Sequence, residues 1–329
     1  MAMTPESILS LGRKFMESRI FLTAAELDLF SLLANAPLSA DEIAKTLKVT
    51  ERGVTILLDA TVSMGLLEKK DGMYRCPPEV ASLLSKESDA SVMPMIKHAV
   101  GLWKRWSDLT EIVRTGTTRT RPSVFDSGAS EQEAFIGAMH VIAYRLAPGI
   151  VAAIRPGGAR ALLDIGGASG SYTQAFLEAC PEMKATLFDL PPVIEIARRR
   201  LAGTAVMDRV TLVAGDFYGD ELPGGHDLAL LSAIIHQNST EQNIELYRKI
   251  CRALVPGGRL VIRDHVMNPD HTQPVSGAFF AVNMLVGTPG GSTYSFEEIR
   301  ASLEAAGFVR VSLIRPDERM DGLVEGFRP

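Results

Sequence analysis

The stretch that decides the fold is Leu162–Gly170, "LLDIGGASG". An apolar run ends in a carboxylate and then in three glycines, Gly166, Gly167 and Gly170. The helical pattern "SYTQAFLEAC" follows at once. Glycine lets the backbone turn tightly and approach a ligand with no Cβ in the way. Working outward, short β-rich runs alternate with helical ones. "KATLFDL" leads to "PPVIEIARRRLA", whose prolines suit a first helical turn. "RVTLVAG" and "HDLALLSAII" are further strands. "STEQNIELYRKICRALVPGG" reads as a helix capped by Ser239 or Thr240 and stopped at Gly257-Gly258. "RLVIRDH", the capped helix "SFEEIRASLEAAGF" with Gly307 at its end, "VRVSLIR" and "GLVEGF" close the series. Apolar strands alternating with helices predict a doubly wound, mostly parallel α/β sheet.

Before Gly157 this alternation is missing. "SRIFLTAAELDLFSLLA" reads as one helix, "SADEIAKTLKV" as a second with a Ser39/Glu42 capping box, and "TERGVTILLDATVSMGLLEKK" as a third. Asp71-Gly72 is a hairpin signal before "MYRCPP". Three helices and a β-wing make a winged-helix domain over residues 1–100. Residues 101–329 form the α/β domain, with 101–156 as connecting helices and a loop at "RTGTTRTRPSVFDSGASEQE". Winged helices can read DNA, but Leu38–Leu84 carries six Lys/Arg against seven Asp/Glu, and its third helix is largely apolar. A DNA reader needs clustered cations, whereas an apolar face needs protein, so dimerisation is expected rather than nucleic-acid binding.

The 329-residue chain has a net charge of −5, with 46% hydrophobic and 22% charged residues. That balance fits a folded protein without a polyanionic partner. No apolar run reaches membrane-spanning length, and the N-terminus reads as having no signal peptide. Three scattered cysteines, Cys76, Cys180 and Cys251, suggest a reducing cytoplasm, and the histidines show no metal-ligand spacing.

The glycine turn must be assigned a ligand. A dinucleotide spacing G-x-G-x-x-G would place glycine at 168 and 171, which are Ala168 and Ser171. The acidic Asp164 would also repel a pyrophosphate and suits a ligand carrying positive charge, such as a sulfonium and an α-amino group. Asp189, followed by Leu190, is placed to take ribose hydroxyls. Asp216 and Phe217 offer an acceptor and an apolar surface to an adenine, and Ser232 ends the next strand.

"LLDIGGASG", "LFDLPPVIEIA", "GDFY", "IIH", "RALVPGGRLVIRD" and "EEIRASLEAAGF" together resemble the class I S-adenosylmethionine-dependent O-methyltransferases of the plant caffeate/flavonoid and acetylserotonin type, bacterial relatives included. The resemblance covers nearly the whole chain. It implies a seven-stranded sheet with the last strand antiparallel, an N-terminal winged-helix dimerisation domain and the cofactor S-adenosyl-L-methionine. It further implies a homodimer and a general base at His236 that deprotonates a small aromatic or polyketide-like acceptor. A neutral phenol is a poor nucleophile at pH 7, and imidazole, with a free pKa near 6.5, can take its proton. Asp264, at the end of a neighbouring strand, would orient His236.

Two stretches depart from the family pattern. His-Asp-Trp is replaced by His236-Gln237-Asn238, and "GGSTYS" puts Thr293 where a second acid usually stands. These departures leave room for an easily ionised acceptor or for a family member with other chemistry, and the winged helix leaves room for a ligand-sensing regulator. "FIGAMHVIAYRL" and "FFAVNMLVG" supply Phe135, Met139, Phe279, Phe280, Asn283 and Met284 as substrate-wall candidates, of which Met139, Asn283 and Met284 are the expected contacts.

Overall fold

The computed structural model describes residues 3–88, 90–116 and 129–329, leaving aside the side chains of 129–135, 138 and 142. The chain divides into two compact units, residues 1–104 and 105–329.

In the first unit, Ala40–Leu47 begins with the predicted capping box. Ser39 Oγ accepts the Glu42 N–H, and the Glu42 carboxylate accepts the Ser39 N–H. The helix expected over 18–34 is instead two, Phe15–Glu26 and Leu29–Asn35, because Asp28 takes a left-handed φ of 54° between them. The third helix also ends earlier than expected, covering Glu51–Ser63, and Gly65 at φ 74° turns the chain out. The remainder pairs as a wing of β1 (Leu38–Ser39), β2 (Glu68–Lys70) and β3 (Met73–Arg75), with Asp71-Gly72 as the hairpin turn at φ 52° and 78°. Phe30, Leu33, Leu58 and Tyr74 fill its core.

The second unit is built on strands β4 (Ala161–Ile165), β5 (Lys184–Asp189), β6 (Val210–Ala214), β7 (His226–Ser232) and β8 (Leu254–Asp264). A short parallel pair, β9 (Val266–Met267) and β10 (Tyr294–Ser295), precedes β11 (Val309–Arg315) and β12 (Gly322–Phe327). The seven-stranded sheet has the order β11-β12-β8-β7-β4-β5-β6. Strands β4 to β8 run parallel, and β12 runs antiparallel to both its neighbours. Alternate residues feed two cores, one on each face. Leu163, Ile165, Leu231 and Ile262 face one, and Leu162, Leu228, Leu230 and Val261 face the other.

Three boundaries differ from expectation. The helix Thr240–Ala253 stops before Gly257-Gly258, and those glycines belong to the irregular start of β8. The loop expected over 114–133 overlaps the helices Leu109–Thr115 and Ala129–Ile154, while 117–128 lie outside the described residues. The fourth strand stops at Ser232 rather than Ile235. Ala233 adopts φ 58°, and Ile235–Gln237 forms a 3-10 turn, so His236 sits on a turn beyond the sheet.

Candidate active site

Asp164, near the end of β4, is buried, and its carboxylate accepts the Thr173 hydroxyl at 2.6 Å. Asp189 ends β5, also buried, and accepts the Ala168 N–H at 2.8 Å and the Leu190 N–H at 2.7 Å. Burial pushes both carboxyls up to about 6, the Thr173 hydroxyl opposing this at Asp164 and the two N–H groups at Asp189. Among the described residues neither forms an ion pair. Gly166 and Gly170 occupy φ 67° and 79°. A Cβ on Gly167 would lie 2.7 Å from Leu187 Cγ and 3.0 Å from the Asp164 carboxylate, so only hydrogen fits. A Cβ on Gly166 would meet Ile234 at 2.7 Å and Phe217 at 3.7 Å, which places the Phe217 ring beside the glycine turn. Asp216, two residues past β6, is exposed, and one carboxylate oxygen accepts the Tyr218 N–H at 2.9 Å. Ser232 accepts from Arg263 Nη1 at 3.4 Å.

His236 is buried, and its Nδ1 faces both oxygens of the equally buried Asp264, at 2.9 and 3.0 Å. Burial alone would raise the Asp264 carboxyl. The His236 imidazole, its hydrogen bond and the His265 N–H overcome that and hold it below the ordinary carboxylate value. The edge of Phe280 meets His236 at 4.8 Å and 85°. The turn beneath is fixed by amides. Asn238 Nδ2 donates to Asn243 Oδ1 at 3.0 Å, and Asn243 Nδ2 donates to the Ile235 carbonyl at 2.9 Å. The hydroxyls of Tyr218 and Tyr294 donate to the Asn238 side chain and carbonyl. Gly291 crosses the turn so closely that a Cβ would lie 2.5 Å from the His236 carbonyl oxygen.

A model of the O-methyltransferase domain matches residues 106–309, and one of the O-methyltransferase dimerisation domain matches residues 9–86. The chain belongs to the O-methyltransferase family. Among relatives of this methyltransferase, 3-hydroxy-5-methyl-1-naphthoate 3-O-methyltransferase of Streptomyces sahachiroi is 30% identical, over 98% of this chain and 95% of the relative. The tetracenomycin polyketide synthesis 8-O-methyl transferase TcmO of Streptomyces glaucescens is 32% identical, over 93% of this chain and 92% of its own. A solved structure of PigF with SAH is 27% identical, with a TM-score of 0.88 over 99% of this chain and 100% of that one. The enzyme is thus an S-adenosylmethionine-dependent O-methyltransferase.

The residues at the rim of the methyltransferase sheet fit that cofactor. Two buried carboxyls with no cation of their own suit a ligand bearing a sulfonium and an ammonium, and the Gly167 cradle admits it at close range. Of the expected wall residues, Phe280 lies against His236, Met284 is buried, Met139 is half-buried and Phe279 is exposed. The Phe135 side chain falls outside the described residues. The Asn283 carbonyl oxygen accepts the Trp106 indole N–H at 3.1 Å, an internal hydrogen bond. Thr293 is buried, and its hydroxyl has no partner among the described residues. Among those residues no group of His, Cys, Asp and Glu could hold a metal, and no helix is long and apolar enough to cross a membrane.

Several site neighbours went unread in the sequence. His140, from the long helix, donates through Nδ1 to Ser171 Oγ at 2.7 Å and accepts from Arg200 at Nε2. Burial first, and Arg200 second, push its pKa down to about 4, so it stays neutral at pH 7. Arg263 is buried with its guanidinium over the Tyr172 ring at 5.7 Å. The polar run "RDH" inside an apolar strand was the signal for Arg263 and His265. Nothing local pointed to His140, which is brought in by tertiary packing.

Proposed function

We propose that His236 is the general base of this methyltransferase and that its acceptor is a hydroxyl on a small aromatic or polyketide-like molecule. The observation that carries the base assignment is the paired contact of His236 Nδ1 with both Asp264 oxygens. An ionised Asp264 keeps the proton on Nδ1, which leaves Nε2 as the basic nitrogen. Nε2 then takes the acceptor's proton while Asp264 balances the imidazolium. S-adenosylmethionine, when bound, supplies an electrophilic methyl carried on a sulfonium. Asp164 and Asp189 hold its amino-acid and ribose portions, Gly166, Gly167 and Gly170 let the backbone approach, and Leu190, Asp216, Phe217 and Ser232 complete the cleft.

The acceptor class rests on the naphthoate and tetracenomycin relatives and on the ring of Phe280 beside His236. Met139, Asn283 and Met284 are assigned to the acceptor side. The dimerisation-domain match, with Ile8, Leu9, Leu11, Phe15 and Met16 exposed on the first helices, supports a homodimer. Three free cysteines accord with a cytoplasmic setting.

The test is turnover of a panel of phenols, hydroxynaphthoates and polycyclic polyketides, read by mass spectrometry as the gain of one methylene. His236→Ala should lower turnover of the best acceptor ~10²-fold or more while leaving cofactor affinity in place. Undiminished turnover would reject the base, and no methylated product from any panel member would reject the acceptor class.

A further inference from the structure

Directly after Asp264 the chain places a second histidine–carboxylate pair. His265 Nδ1 donates to Asp317 Oδ2 at 2.6 Å, and the two side chains are 4% and 0% exposed. We infer that His265 and Asp317 are positioning residues that hold Asp264 and Phe280 in place around His236. The inference rests on the reading of His236 as the base.

Three contacts tie this pair to the site. The His265 N–H donates to Asp264 Oδ1 at 2.8 Å, the same oxygen that lies 2.9 Å from His236 Nδ1. The His265 ring packs on Phe280 at 5.1 Å, and the other side of that contact is the Phe280 edge on His236 at 4.8 Å. Gly277, in the helix Val275–Gly287 that carries Phe280, has no room for a Cβ, which would lie 3.3 Å from His265 Nδ1 and closer still to Met267. His265 therefore touches the orienting carboxylate through its backbone N–H and the aromatic wall of the base through its ring.

Asp317 is itself fixed. Its Oδ1 accepts the Asp321 N–H at 2.9 Å, and the Asp321 carboxylate accepts the Glu318 and Arg319 N–H groups and pairs with Arg315. The connection between β11 and β12 is thus a rigid clamp, and the imidazole of His265 is the part of the strand end it grips. A buried histidine needs a partner for its N–H, but a backbone carbonyl would serve that need. A carboxylate anchored by its own loop adds a fixed direction, which is what a reaction sensitive to small displacements requires.

The experiment measures kcat per cofactor-binding site for Asp317→Asn in the wild-type and His236→Ala backgrounds. Asparagine retains the carbonyl oxygen for the Asp321 N–H but cannot take the His265 proton. In the wild-type background kcat should fall roughly tenfold, with KM for S-adenosylmethionine within about twofold of the parent. On His236→Ala the same substitution should cost nothing further, because it acts through the base. An unchanged kcat per site, or an equal loss in both backgrounds, overturns the inference. If His236→Ala alone turns over at the parent rate, the base assignment fails, a result distinct from either. Should Asp317→Asn not fold, His265→Ala and His265→Asn take its place. Asparagine keeps a donor near the Nδ1 position, so it should restore part of the kcat that alanine loses, and no restoration overturns the pairing.

Discussion

Asp264 meets His236 through both carboxylate oxygens, at 2.9 and 3.0 Å from a single ring nitrogen, and one of those oxygens also accepts the backbone N–H of His265. In Asp264→Asn the amide oxygen stays with the His265 N–H, which turns the NH2 group toward His236. The ring nitrogen there must then accept, the proton moves to Nε2, and the base is blocked. Turnover should fall by about 10²- to 10⁴-fold with cofactor affinity retained. Steady-state kinetics beside calorimetric titration separates the two, and a loss confined to KM would contradict the tautomer role.

Cofactor affinity should depend on pH through Asp164 and Asp189. Burial lifts both carboxyls from an ordinary value near 4 to about 6. Between those values the native state holds more protons than the unfolded chain, so stability of the unliganded protein falls as pH rises from about 4 to about 6. A cationic cofactor needs the ionised forms and drives proton release on binding. Affinity should therefore weaken by roughly tenfold for each coupled carboxyl on going from about pH 7 to about pH 5. Calorimetry in buffers of different ionisation enthalpy measures the released protons. Equal affinity at both pH values would remove these residues from the site.

Gly167→Ala probes the close approach at the turn. The added Cβ must displace Leu187 or the Asp164 carboxylate, each 3.0 Å away or nearer. The protein should fold at a cost of about 1–3 kcal/mol and bind S-adenosylmethionine at least roughly tenfold more weakly, since the displaced carboxylate is the proposed partner of the cofactor's positive charge. Denaturant midpoints and equilibrium binding give the two numbers, and wild-type affinity would show that the turn tolerates a side chain.

Asn238→Ala addresses the turn under His236. Asn238 is fully buried, and its loss leaves Asn243 Oδ1 without its donor. Stability should drop by about 1–3 kcal/mol, and kcat should fall with it because the His236 turn hangs from Asn243. Urea unfolding and activity at a temperature well below the transition report both. Full stability would mean that the amide network contributes nothing.

Sequence was informative where the signal is local. The strand–helix alternation, the glycine turn, the Ser39 capping box and the cap at Ser239 all lie within a few residues of what they determine. Two misplaced boundaries share one cause. Asp28 and Ala233 take positive φ values that neither residue announces, so a helix and a strand end where the hydrophobic pattern continues. At the site, His236 and Asp264 were legible because they flank adjacent parallel strands. His265–Asp317 and His140–Arg200 were not, because their partners lie 52 and 60 positions apart and only packing joins them. The replacement of His-Asp-Trp by His236-Gln237-Asn238 puts Asn238 at the centre of the network beneath His236, a role that only the tertiary contacts reveal.

The place of β12 means that local opening of the sheet edge reaches the candidate site. That strand follows β11 in the chain but lies between β8 and β11, with Gly322 directly opposite Asp264. Were Gly322–Phe327 to detach, β8 would present an unzipped flank and β11 would have no attachment to the sheet. The break would run to the strand end that carries Asp264 and would loosen the connection that holds Asp317 against His265. Fraying of this sheet edge is therefore coupled to the geometry around His236.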